Sequence, residues 1–226
     1  MVQRRSVGEP LDVVDGRGVR LCAEGAAGSA DGVRLTVREC VREAPAPVEL
    51  VLVQALAKGD RGEAAIEAAT ELGVDEVVPW QAQRSVVQWR GPRADTGHAR
   101  WEATVRAAAK QSRRAFVPTV HPALDSAGVA RLVSEVVAGD GSAIVLYEAA
   151  VAPLLAAALP EDGGRILVVV GPEGGISDRE LELFGAAGAT LARLGPHLLR
   201  MSTAGPVAVA MLAERLGRWA SSSRFR

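Results

Sequence analysis

The sequence predicts an α/β protein built on a parallel sheet and preceded by a small β region. Three observations carry that expectation. Residues 166–170, Ile-Leu-Val-Val-Val, are apolar without alternation, as a parallel strand covered on both faces requires. They run directly into Gly171-Pro172-Glu173-Gly174-Gly175, where glycine permits backbone that other residues cannot follow and lets a ligand approach closely. From residue 48 to residue 220, strand-like runs alternate with stretches of helical period, whereas residues 1–45 hold only short alternating runs.

Residues 11–14 and 19–23 alternate around Asp15-Gly16-Arg17-Gly18, a hairpin signal. Residues 33–41 form a third strand with Val33, Leu35 and Val37 on one face. Three short strands neither close a barrel nor bury much core. Ala44-Pro45-Ala46-Pro47 is a linker, each proline biasing its neighbour toward extended geometry. A strand follows at 49–56. The helix expected at 62–72 places Ala65, Ile66, Ala69 and Leu72 on one stripe and stops at Gly73. A strand at 74–79 and a helix at 99–115, with Trp101, Val105 and Ala108 on its stripe, come next. The alternation continues with 124–138 as helix, 143–147 as strand, 149–159 as helix and 166–170 as strand. Ser177 and Glu180 form a capping box that opens a helix at 178–187. A strand at 190–194 and a helix at 203–219, with Thr203 as its N-cap, complete the domain. Residues 221–226 read as a polar, disordered tail.

The chain has 226 residues, 48% of them hydrophobic and 23% charged, which suits a soluble globular protein of a large and a small domain. No apolar run is long enough for a membrane span, and residues 1–6 lack the apolar core of a signal peptide, so a cytoplasmic location is expected. Cys22 and Cys40 are too few for a disulfide framework or a metal site, and no metal is expected. The net charge of −1 gives no support to nucleic-acid binding, but its distribution does. Between Trp80 and Val120, eight basic residues face only Asp95 and Glu102, a local charge of +6 in a segment that also holds Trp80, Trp89 and Trp101. Such a patch suits a phosphate backbone and an unstacked base; the alternative is a solvated, arginine-rich helix.

The glycine loop matches neither common phosphate cradle. A Walker loop needs Lys and Ser or Thr after its last glycine, yet Gly175 is followed by Ile176. A dinucleotide fold needs an acid about 20 residues on, and no acidic residue lies between Glu182 and Glu214. A second strand, glycine loop and helix start follows at Leu194-Gly195-Pro196-His197-Leu198-Leu199-Arg200. His197 has no acid near it in sequence to orient it as a base. Arg200 sits where a loop meets a buried helix, either in a structural salt bridge or facing a ligand.

Gly171-Pro172-Glu173-Gly174-Gly175, followed by Leu194-Gly195, Leu198-Leu199-Arg200 and Thr203-Ala204, resembles the RsmE family. Lys58-Gly59-Asp60, Glu71-Leu72-Gly73-Val74, Pro79, Arg84, and Gln111 with Arg114 before Val117-Pro118 extend the likeness over nearly the whole chain. These are S-adenosylmethionine-dependent methyltransferases of N3 of a uridine in small-subunit (16S) ribosomal RNA. The resemblance implies a SPOUT fold whose C-terminal part is tied in a deep trefoil knot, a homodimer joined through that knot, and an N-terminal PUA-like RNA-binding domain at 1–45.

It further implies that the methyl donor lies bent among three loops. These carry Leu146 and Tyr147; Gly171, Pro172, Glu173, Gly174 and Gly175; and Leu194, Gly195, Leu198 and Leu199, with Thr203 and Ala204 beyond. Arg200 becomes the catalytic candidate, stabilising charge on the uracil oxygens, and Arg84, Gln111, Arg113 and Arg114 become RNA contacts. Glu173 either contacts the donor or shapes its loop. Two departures stand out. Relatives carry further residues ahead of the equivalent of Val2, including a strand and a helix of the β domain, so that domain is expected to be short. Many relatives have glutamate where this chain has Ser202, which leaves no proton acceptor assigned there. The open alternatives are a SPOUT methyltransferase acting on another RNA position or a ribose 2′-hydroxyl, and an RNA-binding protein without chemistry.

Overall fold

The computed structural model describes residues 7–29, 32–161 and 163–220. The tail expected at 221–226 lies outside them. The chain divides into two units, the first drawn from Met1–Pro45 and Arg113–Val117, the second from Ala46–Ser112 and Pro118–Arg226.

The first unit is an antiparallel sheet of β1 (Pro10–Val14), β2 (Val19–Ser29) and β3 (Gly32–Arg42), in the order β1-β2-β3. Its first turn is fixed by Asp15, whose carboxylate accepts the N–H groups of Arg17 and Val19 at 2.7 and 3.0 Å. Residues 113–117 return to that turn: Gly18 donates to the Ala115 carbonyl at 3.1 Å and Val117 to that of Gly16 at 3.0 Å. Gly18 has φ +103°, and a Cβ there would lie 2.5 Å from the Phe116 ring, so only glycine fits. The face expected to carry Val33 and Val37 forms, but they remain 67% and 49% exposed.

In the second unit, valine and leucine fill β4 (Val48–Ala55), buried at every residue from Leu50 on. The remaining strands are β5 (Glu76–Gln81), β6 (Thr119–Val120), β7 (Leu124–Asp125), β8 (Ser142–Leu146), β9 (Gly164–Val170) and β10 (Thr190–Ala192). All seven are parallel, in the order β10-β8-β9-β4-β5-β6, with β7 also on β5. The helices are α1 (Arg61–Glu71), α2 (Pro92–Gln111), α3 (Ser126–Ala138), α4 (Asp178–Ala186) and α5 (Met201–Arg215). Helix α1 packs on α2 and α5, and α3 on α4. From β4 the chain leads through α1 to β5; from β9 it leads through α4 to β10, on the opposite side. The carboxyl ends of the neighbouring strands β4 and β9 therefore bound a topological switch point, where ligands of open α/β sheets bind.

Four expectations are corrected. Helix α2 runs over Pro92–Gln111, not 99–115: Pro92 stands in its first turn, and Arg113, at φ 56°, takes the chain out of it. The helix expected from residue 124 begins at Ser126, after the two-residue strand β7. No α-helix forms at 149–159, only a single 3₁₀ turn at Leu154–Ala156. There Leu154 donates to the Arg193 carbonyl and Arg193 to that of Ala152, both at 2.9 Å, so backbone groups pair with the neighbouring loop instead of within a helix. Thr203 is not an N-cap; α5 starts at Met201, with Arg200 as its N-cap, and the Arg200 carbonyl accepts the N–H groups of Thr203 and Ala204.

Asp125 is the N-cap of α3, its carboxylate accepting the Gly128 N–H at 2.7 Å. Asp125→Ala is expected to lower stability by about 1 kcal/mol, read as a lower urea midpoint with an unchanged slope.

Candidate active site

At the switch point, Val170 ends β9 and the glycine loop begins. The Gly175 N–H closes a turn on the Pro172 carbonyl at 2.9 Å. Gly175 stands at φ +75°, in the left-handed region, and a Cβ on Gly171 would come within 2.5 Å of Ile176. Gly174 lies under Arg84: an added Cβ would be 3.2 Å from the arginine's own Cβ. The Arg84 guanidinium donates to the carbonyl of Gly174 at 3.3 Å and, more loosely, to that of Ile176 at 3.5 Å. Glu173 pairs with Arg61 at 3.0 Å.

The loop is braced from below by Glu180. Its buried carboxylate accepts the Ser126 hydroxyl at 2.6 Å, the Gln83 N–H at 2.7 Å and the Ser177 N–H at 3.0 Å, with the Ser177 hydroxyl at 2.7 Å. Burial pushes the Glu180 carboxyl up, but the bonds from Ser126, Gln83 and Ser177 outweigh it and hold the group below its ordinary range. The capping box predicted from Ser177 and Glu180 is present. Its extension to Gln83 places the next residue, Arg84, over the glycines.

Beside the glycine loop, the segments after β8 and β10 are stitched together. Tyr147 donates to the Ala192 carbonyl at 3.0 Å, and Pro153 and Arg193 form a β-bridge. Between these segments and α5 lies a cavity of about 130 Å³, lined by Leu146, Tyr147, Leu194, Gly195, Leu198, Leu199 and Ala204. Glu148, Arg193, Pro196 and His197 also line it, and sequence reasoning did not select them for it. Whole-ligand pockets begin near about 300 Å³, and this cavity is smaller.

Thus seven of the thirteen predicted donor residues converge on one cavity, and the five of the glycine loop stand together at the end of the adjacent strand. Thr203 lies in the first turn of α5 and does not line the cavity. Arg200 is exposed, and its side chain makes no hydrogen bond or ion pair among the described residues. Of the two readings open from the sequence, the structural salt bridge is not formed among the described residues.

The predicted RNA contacts are divided between the two units. Arg84 is on the glycine loop and Gln111 ends α2, whereas Arg113 and Arg114 belong to the other unit, with the Arg113 carbonyl taken by Arg20 at 2.8 Å. The tryptophans of the basic segment correct the sequence reading. Trp80 and Trp101 are core residues, packed edge-on against Phe184 and Trp89 with centroids 5.3 and 5.2 Å apart, so neither offers a face to a base.

The profile of the RNA methyltransferase domain family matches residues 44–213. Ribosomal RNA small subunit methyltransferase E (RsmE) of Mycobacterium tuberculosis is 41% identical over 223 residues, 98% of this chain and 84% of that protein. The chain belongs to the RsmE family. Its Bacillus subtilis member is 33% identical over 165 residues, covering 70% of this chain and 62% of that protein. The crystal structure of the Neisseria gonorrhoeae RsmE, bound to S-adenosyl methionine, has a TM-score of 0.81 at 25% identity, covering 93% of this chain and 84% of that one. Among the described residues of this RsmE-family chain, no helix is long and apolar enough to cross a membrane, and no cluster of His, Cys, Asp and Glu could hold a metal ion.

Proposed function

We propose that this chain transfers a methyl group from S-adenosylmethionine to N3 of a uridine in small-subunit ribosomal RNA. One observation carries the reading: three separate segments bring Leu146, Tyr147, Leu194, Gly195, Leu198, Leu199 and Ala204 around one cavity next to the helix that Arg200 opens. The glycine loop supports it by its place at the end of the adjacent strand, where Ile176 and Arg84 pack so closely on Gly171 and Gly174 that the loop keeps one shape.

When bound, S-adenosylmethionine supplies an electrophilic methyl group on a sulfonium. The protein supplies position and charge. Aligning the attacking nitrogen with that methyl draws on the about 7–11 kcal/mol available from pre-orientation. Loss of the N3 proton leaves negative charge on the uracil oxygens, and the uncommitted Arg200 guanidinium stabilises it, a contribution of ~3–4 kcal/mol. The N3 proton passes to water: Glu173 is paired with Arg61 and Glu180 is locked in its network, and Glu148, which lines the cavity, is assigned no role as base. Arg84, Gln111, Arg113 and Arg114 hold the RNA backbone, and the target base is unstacked to reach the site.

The strand order supports a trefoil knot in this reading: β10 lies outside β8, yet α5 returns to pack on β9, β4 and α1. Exposed Val151, Leu155 and Leu198 around the cavity loops support a second copy covering that face. The small antiparallel unit takes the PUA-like, RNA-binding role, and a ribosomal substrate places the reaction in the cytoplasm.

Calorimetry with S-adenosylmethionine, followed by mass spectrometry of ribosomal RNA from cells with and without the gene, tests the reading. Donor binding and a methyluridine that vanishes with the gene are expected. A chain that binds RNA but no donor would establish a binding protein instead, and a methylated ribose or guanine would redirect the assignment.

A further inference from the structure

Three buried side-chain polar atoms lack a hydrogen-bond partner among the described residues: both ends of the Gln54 amide and the Ser85 hydroxyl. Gln54 stands in an otherwise apolar strand at 0% exposure. Its register partners are Val170, the last residue before the glycine loop, and Pro79. It thus lies at the switch point itself. Whichever way the amide is set, a donor and an acceptor are left without partners, a costly arrangement that native proteins keep where function requires it.

The amide packs directly beneath α5. A Cβ on Gly205 would lie 3.1 Å from Gln54 Oε1 and 3.1 Å from Leu52. The first turn of α5 is lightly held at both ends. Arg200, its N-cap, makes no side-chain capping bond, and Pro206 within the helix brings no N–H to the Ser202 carbonyl one turn back. The unsatisfied amide, its Oε1 toward Gly205 and its two ends interchangeable by a flip, therefore underlies a helix whose Ser202 carbonyl has lost its helical donor.

We propose that Gln54 is a positioning residue: when the methyl donor seats, its amide donates to the Ser202 carbonyl and fixes the turn that follows Arg200. The inference rests on the methyl-transfer reading above. It assigns Gln54 no contact with the reacting atoms.

The test uses the full chain and Gln54→Met, which keeps the volume and removes the hydrogen bonds. Thermal melting of the free variant should match or exceed that of the native chain, because an unsatisfied buried amide has gone. The melting shift induced by S-adenosylhomocysteine should shrink by about half or more, and kcat/KM on a small-subunit ribosomal RNA fragment should fall about tenfold. A free variant that melts several degrees lower would overturn the proposal, since Gln54 would then be satisfied before ligand arrives. An undiminished ligand-induced shift would overturn it equally. A native chain that binds S-adenosylhomocysteine yet leaves the RNA unmodified would overturn the methyl-transfer reading instead, and the ligand-induced shift would still decide Gln54.

Discussion

Arg200→Ala is expected to slow single-turnover methyl transfer by about 10²–10³-fold while leaving donor affinity nearly unchanged. The two effects separate because of where the residue stands. Its side chain is exposed and does not line the cavity, whereas its backbone carbonyl accepts the N–H groups of Thr203 and Ala204, a role alanine retains. The helix N-terminus adds its own positive end to the guanidinium, so the substitution removes a charge from a site already disposed toward anions. Arg200→Lys should recover only part of the rate, since an ammonium cannot present the planar fork that meets a uracil oxygen and a neighbouring acceptor together. Calorimetry with S-adenosylhomocysteine and a rapid-quench assay on the RNA measure the two quantities. A near-native rate for Arg200→Ala would remove the residue from the mechanism.

Glu180→Ala should be the more damaging change to the fold. It strands the Gln83 N–H, the Ser126 hydroxyl and the Ser177 N–H beneath the glycine loop. Hydrogen bonds to a charged group contribute about 1.5–3 kcal/mol each. Because they share one carboxylate they do not add fully, and a loss of about 4 kcal/mol is expected. Set against a typical total of about 5–15 kcal/mol, that leaves a marginal protein. Glu180→Gln should cost less, since the amide keeps one acceptor. The pH dependence has a definite sign. The folded-state pKa of Glu180 lies below its unfolded value, so its contribution is fully present above the unfolded value and is lost as pH falls through the folded one. Urea midpoints measured from neutral pH downward should fall for the native chain and fall less for Glu180→Gln.

The parallel sheet was legible because burial on both faces leaves an unbroken apolar run, as in β4 and β9, and glycine marks the loops that follow. The cavity was legible only through the family motif; nothing in periodicity joins Leu146 to Leu199. Where the sequence misled, a long-range contact had overridden a local preference. Residues 149–159 are rich in alanine and leucine, yet Leu154 gives its N–H to Arg193. The tryptophans looked like a base-stacking set because they share a segment with arginines, but two of them are the core of that segment. Glu180 was read as a cap from its neighbour Ser177; its bond to Gln83, 97 residues away, has no local signature. Gln54 did leave a signal, a lone amide within an apolar strand, and its meaning depends on the helix laid over it.

Residues 113–117 complete the turn between β1 and β2, so the first unit is not contiguous along the chain. During translation its strands leave the ribosome ahead of residues 46–112 but wait for Phe116 until those residues have followed. At ordinary elongation rates that delay is on the order of several seconds. The β strands are therefore synthesised before residues 46–112 yet completed only after them, and a nascent chain arrested before Phe116 should leave them open to protease.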